Sequence, residues 1–153
     1  MDLILWRHAE AFDAGDGQDD LSRGLTPKGE RHAQRMAQWL NRRIAETTRV
    51  LVSPALRCQQ TAAALEKKAK TLPELAPGVD VQLLLDAARW PDSSTPVLLV
   101  GHQPTLGMLA ATLLTGTPHA LSVKKGCVWW LRSRDREGLA DVTLYAVQSP
   151  DNC

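Results

Sequence analysis

The chain has 153 residues, about the length of one typical domain, and we expect residues 1–153 to form a single domain. Hydrophobic residues make up 44% of the sequence and charged residues 23%, which supports a packed core and excludes an intrinsically disordered chain. The formal net charge is only +1, so no general positive field is available to hold a nucleic acid. Any anion must therefore be bound at a local site.

Several other classes of protein are disfavoured. The longest apolar runs, such as residues 97–100, are far shorter than the roughly 20 residues of a membrane-spanning helix, and the N-terminus lacks the basic region of a secretory signal. Cys58, Cys127 and Cys153 are too widely spaced for a disulfide framework, and the four histidines lack metal-ligand spacing. We expect a cytoplasmic monomer with no metal, no cofactor, and neither a nucleic acid nor a membrane as its partner.

The first predicted elements are a buried strand and an amphipathic helix. Residues 3–6 form a short apolar run, typical of a strand that is buried on both faces. Residues 10–24 are acidic and contain glycine, which indicates an exposed loop. A helix then begins, with Thr26 as its cap and Pro27 as its first residue. Its apolar residues lie at helical spacing and form a stripe that reaches Ile44.

The same strand-to-helix pattern occurs twice more. Residues 50–52 predict a second buried strand, followed by a helix that Ser53 and Pro54 would start. Residues 97–100 predict a third strand, followed by a helix that Pro104 would open. Strands that alternate with helices indicate an open α/β sheet covered by helices on both faces.

The remaining segments are short. Residues 67–96 are polar and contain proline, with a short strand expected at residues 79–84 and a short helix at residues 85–90. Residues 127–131 and 142–147 predict two strands that can form an antiparallel pair at the sheet edge. The expected fold class is therefore a single-domain, mostly parallel α/β sheet with an antiparallel edge.

Basic side chains follow the three predicted parallel strands. Arg7 and His8 come directly after the first strand, Arg57 follows the second by a few residues, and His102 lies just past the third. In open α/β sheets ligands bind outside the carboxyl ends of the strands, so we expect these four side chains to converge. Arginine forks and helix N-termini suit a doubly charged oxyanion such as a phosphoryl group.

One of the two histidines is then free to react with that group. A neutral imidazole is a competent nucleophile when its second nitrogen donates a hydrogen bond, and we assign this role to His8. Other phosphate chemistries lack their motifs: the sequence has no G-x-x-x-x-G-K-[ST], no G-x-G-x-x-G after the first strand and no C-x-x-x-x-x-R loop for Cys58 or Cys127.

These residues resemble a known family. The resemblance is carried by four motifs in order along the chain: Leu5-Trp6-Arg7-His8, Leu25-Thr26-Pro27-Lys28-Gly29, Val52-Ser53-Pro54-Ala55-Leu56-Arg57-Cys58-Gln59-Gln60-Thr61 and Val100-Gly101-His102. They look like the histidine phosphatase superfamily, the phosphoglycerate-mutase-like enzymes. The small size and the Arg7-His8-Ala9-Glu10-Ala11 sequence resemble its SixA-type phosphohistidine phosphatases.

The resemblance implies a phosphoglycerate-mutase-like domain and a metal-independent hydrolase. His8 would accept the phosphoryl group as a phosphohistidine intermediate, while Arg7, Arg57 and His102 would bind and neutralise its oxygens. The substrate would be a histidine-phosphorylated protein, either a phosphorelay domain or a phosphotransferase carrier. Many superfamily members have glycine after the Arg-His pair, whereas this chain has Ala9.

The proton donor is not evident from the sequence. Asp20 aligns with the acidic loop residue of SixA-type sequences, and both Asp20 and Glu10 are candidates for an acid or a substrate contact; alternatively Asp20 pairs with Arg23. Imidazole has an unperturbed pKa near 6.5 and leaves more easily than an alkoxide, so a phosphohistidine substrate tolerates a weak acid.

Two other functions fit the same residues. One is a phosphatase that acts on small phosphomonoesters, and the other is a phospho-recognition module without turnover. The segment over residues 57–97 is short, so we expect a shallow pocket open to a side chain on another protein.

Overall fold

The computed structural model describes residues 1–136 and 138–153, and these residues form a six-stranded mixed sheet flanked by helices. The strands are β1 (Asp2–Arg7), β2 (Arg49–Val52), β3 (Ala69–Thr71), β4 (Val97–Gly101), β5 (Val128–Arg136) and β6 (Leu139–Gln148). The helices are α1 (Pro27–Asn41), α2 (Leu56–Ala63), α3 (Val81–Ala88) and α4 (Thr105–Thr115). In the part of the chain that the structure describes, none of the helices has the length and apolar character needed to cross a membrane.

The sheet is mostly parallel, as predicted. Its strand order is β3-β2-β4-β1-β5-β6, and the four strands from β3 to β1 run parallel to one another. Strand β5 pairs antiparallel with β1 and with β6. The predicted antiparallel edge pair is therefore confirmed, although both strands are longer than the apolar runs that predicted them.

The alternating side chains of β1 fill the two halves of the core. Ile4 and Trp6 pack on one face among residues of α1 and α2, whereas Leu3 and Leu5 pack on the other among residues of α3 and α4. All four side chains are fully buried. Because successive residues of a strand point to opposite faces, a continuous apolar run is what a doubly covered strand requires.

The register of the parallel strands brings their carboxyl ends to one line. Arg7 of β1 pairs with Gly101 of β4, and Val52 of β2 pairs with Val100 of β4. The residues that follow these pairs, His8 and His102 among them, must therefore emerge at the same edge of the sheet.

One predicted strand is wrong. Residues 79–84 alternate in polarity, but residues 81–84 are the first half of α3. This helix spans Val81–Ala88 and so also differs from the helix expected at residues 85–90. The Asp80 carboxylate caps this helix by accepting a hydrogen bond from the Gln82 amide at 2.9 Å. The strand that does occur in this segment, β3, is three exposed residues at the sheet edge and carries no apolar pattern.

Two helices begin one or two residues later than predicted. Helix α2 starts at Leu56 and has no side-chain cap, because Ala55 occupies the cap position, while the Ser53 hydroxyl contacts His102 instead. Helix α4 starts at Thr105, and Pro104 precedes it after a cis peptide bond. The prolines after the strands therefore predicted that a helix follows, but they did not predict the residue at which each helix begins.

Helix α1 packs directly on the backbone that follows His8. A Cβ atom at Gly29 would lie 2.0 Å from the Glu10 carbonyl oxygen, which real structures do not tolerate. The Thr26 hydroxyl also accepts the Gly29 amide at 3.0 Å and so caps the helix at this point. Only glycine allows α1 to approach this closely.

We expect Gly29→Ala to lower the free energy of unfolding by about 1–3 kcal/mol or more, because the added methyl group must displace backbone. Denaturant unfolding measures this change. Gly15→Ala is the matched control, since the nearest atom to its added Cβ lies 3.9 Å away, and its stability should stay within about 0.5 kcal/mol of the parent. Equal stability of the two variants would contradict the close approach of α1.

Candidate active site

Two histidines face each other where β1 and β4 end. The His8 and His102 rings lie 5.3 Å apart between centroids, with a 56° angle between their planes. The His8 amide donates to the Gly101 carbonyl at 3.2 Å, which continues the parallel ladder by one residue and fixes the start of the loop. Both rings are buried, with 6% and 4% of their surfaces exposed.

The two arginines complete the cluster. Arg57 lies in the first turn of α2 and is 3% exposed, and one of its terminal nitrogens lies 3.4 Å from His102 Nδ1. Arg7 donates to the Val123 carbonyl at 3.0 Å. The Nε atoms of both arginines are buried and have no hydrogen-bond partner among the described residues. Buried donors without an acceptor are costly, so these atoms are suited to an oxyanion.

The hydrogen bond of His8 defines its reactive nitrogen. Its Nδ1 lies 2.8 Å from the Ala9 carbonyl oxygen, which can only accept, so we assign the proton to Nδ1. Burial, followed by the charges of Arg57, Arg7 and Arg23, lowers the pKa of His8 to about 4. The imidazole is therefore neutral near pH 7, and its Nε2 is unprotonated and has an available lone pair.

His102 is also held neutral. Arg57 has no acceptor, so His102 Nδ1 accepts from it, and His102 Nε2 donates to the Ser53 hydroxyl at 2.7 Å. Burial, then the neighbouring His8 and Arg57, lowers the pKa of His102 to about 3. The Cys58 sulfur lies 3.5 Å from the same Nε2, but burial raises the pKa of this thiol to about 12 and leaves it protonated.

A pocket of about 290 Å³ opens over these four side chains, and its wall contains residues that the motifs did not indicate. They are Ala11, Asp13, Arg23, Pro77, Gln103 and Lys125. Arg23 and Lys125 add positive charge at the mouth, and both come from loops, where no strand or helix pattern points to a common location. The only lining residue from the segment between α2 and β4, within the described chain, is Pro77.

The two acidic candidates lie in different places. Asp20 reaches the cluster: its carboxylate accepts from Arg57 at 3.1 Å and from Arg23 at 2.9 Å. Partial burial acts to raise the pKa of Asp20, but the hydrogen bonds and charges of the two arginines outweigh it and lower the pKa overall. Glu10 instead accepts from the Thr26 hydroxyl at 2.8 Å, which lowers its pKa, and it does not line the pocket.

Comparison with known proteins identifies the family. The model of the histidine phosphatase superfamily (branch 1) matches residues 3–80. The phosphohistidine phosphatase SixA of Escherichia coli K12 is 37% identical over 124 residues, which cover 76% of this chain and 76% of that protein. The chain belongs to the histidine phosphatase superfamily. It is a hydrolase of the phosphatase class.

Two further relatives match this histidine phosphatase over nearly its whole length. An uncharacterised protein of Picosynechococcus strain PCC 7002 is 37% identical, and the matched region covers 98% of this chain and 97% of that protein. The solved structure of the protein histidine phosphatase SixA complexed with tungstate is 31% identical in sequence, with a TM-score of 0.77. The match covers 99% of this chain and 98% of the chain in that structure.

The charge in the phosphatase pocket is supplied by side chains. Among residues 1–136 and 138–153 there is no group of three or more histidine, cysteine, aspartate and glutamate side chains that could hold a metal ion. Arg7, Arg57, Arg23 and Lys125 line the pocket and bring the positive charge.

Thr61 connects the histidine side of this site to the arginine side. Its fully buried hydroxyl accepts from the Ala9 amide at 3.1 Å and donates to the Arg57 carbonyl at 2.7 Å. The same residue, Ala9, provides the carbonyl that orients His8. One hydroxyl therefore fixes the backbone beside His8 relative to the helix that carries Arg57.

We expect Thr61→Val to lower kcat at least tenfold while KM changes less, because the buried Ala9 amide loses its acceptor and the His8 ring loses its fixed orientation. Steady-state kinetics separate the two constants. Thr61→Ser keeps the hydroxyl and should restore kcat. If the serine variant is as impaired as the valine variant, Thr61 acts through the packing of its side chain and not through its hydrogen bonds.

Proposed function

We propose that the chain is a phosphohistidine phosphatase that transfers a phosphoryl group from a histidine-phosphorylated protein to His8 Nε2 and then to water, without a metal ion. The observation that carries this proposal is the neutral His8, which lines the same pocket as Arg7 and Arg57; among the described residues, neither His8 Nε2 nor the Nε atoms of the two arginines have a hydrogen-bond partner. The similarity to a protein histidine phosphatase complexed with tungstate, a tetrahedral oxyanion, supports the same substrate class.

In the first step, the His8 Nε2 lone pair forms a bond to phosphorus while the bond from phosphorus to the substrate nitrogen breaks. The departing imidazole takes a proton from solvent. The Nδ1 proton of His8 stays in its hydrogen bond to the Ala9 carbonyl, which favours the positive charge that the phosphorylated ring acquires. Arg7 and Arg57 bind the phosphoryl oxygens throughout and stabilise the charge spread over them.

In the second step, water attacks phosphorus and the bond to His8 Nε2 breaks. The water releases a proton, orthophosphate leaves, and His8 returns to its neutral form. A bound dianion favours proton uptake at His102 Nδ1, which would then release its hydrogen bond from Arg57 and donate to a phosphoryl oxygen.

Asp20 fits a positioning role better than that of a general acid. Its pKa is held low by Arg23 and Arg57, so it has no proton to give near pH 7. We propose that it orients Arg57, with which it forms an ion pair at 3.1 Å. The phosphohistidine substrate makes this possible, because imidazole leaves without a strong acid.

We expect His8→Ala to abolish phosphate release, with a loss of more than about a thousandfold, and Arg57→Ala to reduce it by about 10²–10³-fold. The assay follows phosphate release without added metal, from a phosphohistidine protein and from a panel of small phosphomonoesters. His119→Ala is the matched control, because His119 is exposed and bonds only Thr117 among the described side chains.

The same assay separates the three functions. Release from phosphohistidine that is lost in His8→Ala supports the proposal, together with an alkali-stable phosphate label on the wild-type chain. Preference for small esters would instead identify a phosphomonoesterase. Stoichiometric binding without release would identify a recognition module, and an active His8→Ala protein would exclude the covalent route.

The pH dependence follows from the lowered pKa of His8. Because its neutral form persists down to about pH 4, the nucleophile should be available across pH 5–7 and be lost only as the pH falls through about 4. NMR titration of the His8 ring should give a midpoint near 4 rather than 6.5. Arg57→Ala removes a neighbouring positive charge and should raise that midpoint. A wild-type midpoint near 6.5 would contradict the buried, neutral His8.

A further inference from the structure

A second pocket lies between α3 and α4 and has a different character from the phosphoryl site. It has a volume of about 500 Å³, and we call it the α3/α4 groove. Its apolar lining residues are Val79, Val81, Leu85, Pro104, Met108 and Pro118. The phosphoryl pocket, in contrast, is lined mainly by charged and polar side chains.

The groove adjoins the phosphoryl pocket along two stretches of chain. Pro77 lines the pocket, and the next residue, Gly78, lines the groove. Gln103 lines the pocket, and the next residue, Pro104, lines the groove. Neighbouring Cα atoms are at most about 3.8 Å apart, so the linings of the two cavities lie next to each other at both of these stretches.

Hydrogen bonds fix the walls that the two cavities share. The Thr105 hydroxyl donates to the Val79 carbonyl at 3.2 Å and joins the start of α4 to the loop before α3. The Gln103 side chain donates to the Leu121 carbonyl and accepts from the Gly107 amide, both at 2.7 Å. The groove is therefore preformed and does not need to be ordered when a ligand binds.

The phosphoryl pocket takes the charged group of any substrate, and a compound that is little more than this group leaves the groove empty. A protein substrate differs: its phosphohistidine must enter the pocket from a backbone that stays outside, so neighbouring side chains of that protein lie over the adjoining surface. The exposed apolar residues of β6, such as Leu144 and Val147, are on the far edge of the sheet and do not adjoin the pocket.

We infer that the α3/α4 groove is the docking surface for the protein that carries the phosphohistidine, and that it binds apolar side chains located on the same face of that protein as its phosphorylated histidine. This inference rests on the proposed function. The pocket supplies the chemistry for the phosphoryl group, while the groove supplies apolar contact area and so selects protein substrates over free phosphate compounds. Met108 suits such a surface, since its flexible side chain adapts to different partners.

The test compares two substrates that both contain a phosphorus–nitrogen bond. Phosphoramidate is small enough to occupy the phosphoryl pocket alone. The protein probe is whichever of two histidine-phosphorylated proteins the wild-type chain hydrolyses faster, a phosphotransferase carrier or an isolated phosphorelay domain. Met108→Lys and Val81→Lys place a charge in the groove, at two partly exposed positions on different helices.

We expect each variant to lower kcat/KM for the phosphoprotein at least tenfold, mainly through KM, and to keep kcat/KM for phosphoramidate within twofold. Val147→Lys introduces the same charge on β6, where the side chain is 50% exposed, and should leave both substrates unaffected. Thermal unfolding, together with the phosphoramidate activity, reports whether each variant is folded. Since Met108 and Val81 lie on separate helices, one misfolded variant leaves the other as the test.

Two results would overturn the docking surface: unchanged phosphoprotein kinetics in both folded variants, or an equal loss for phosphoramidate and phosphoprotein. Failure of the proposed function is distinguishable, because the wild-type protein would then not hydrolyse the phosphoprotein, whatever its activity on phosphoramidate.

Discussion

The site depends on an excess of positive charge in a buried place. The guanidinium groups of Arg7 and Arg57 lie against two histidines, and the carboxylate that contacts Arg57, that of Asp20, is half exposed. In such surroundings a histidine that took up a proton would add a further positive charge, so both rings stay neutral. Burial makes the largest contribution to the low pKa of His8, and the charge that attracts a phosphoryl dianion adds to it, so the His8 lone pair stays available.

The fold makes this arrangement possible through the register of its sheet. Arg7 and His8 are consecutive, so the strand that ends between them sends one side chain towards the Val123 carbonyl and the other towards the His102 ring. The close contact of Gly29 with Glu10 and the double hydrogen bond of Thr61 then fix the next two residues of the loop. The loop after β1 is held at successive points, which limits the reorganisation that a reaction there would require.

The sequence predicted those parts of the molecule whose patterns are local. The buried strands, the helices that follow them and the positions of Arg7, His8, Arg57 and His102 at strand ends all follow from short apolar runs and prolines, and the structure places these side chains together. Arg23 and Lys125 were missed because loops carry no periodicity that indicates where they fold. Residues 79–84 were assigned to a strand because V-D-V-Q-L-L alternates, although Asp80 is a helix cap. A cap residue at the second position of this pattern is compatible with a helix as well as a strand. The helix is the form that packs against α4 in the structure.

The polar cavity of this phosphatase can be small because the pocket binds only the phosphoryl group, while the groove binds the rest of the substrate. Electrostatic attraction to a phosphoryl group is nearly independent of what the group is attached to, so the pocket alone would favour any accessible phosphate of the right charge. Discrimination must come from surfaces that touch the rest of the substrate. The loop before α3 and the segment that leads into α4 each contribute residues to both cavities, so a protein seated in the groove would bring its phosphohistidine to His8 in a defined orientation. Orientation of this kind lowers the entropic cost of reaching the transition state, in which His8 Nε2, phosphorus and the leaving nitrogen must be in line.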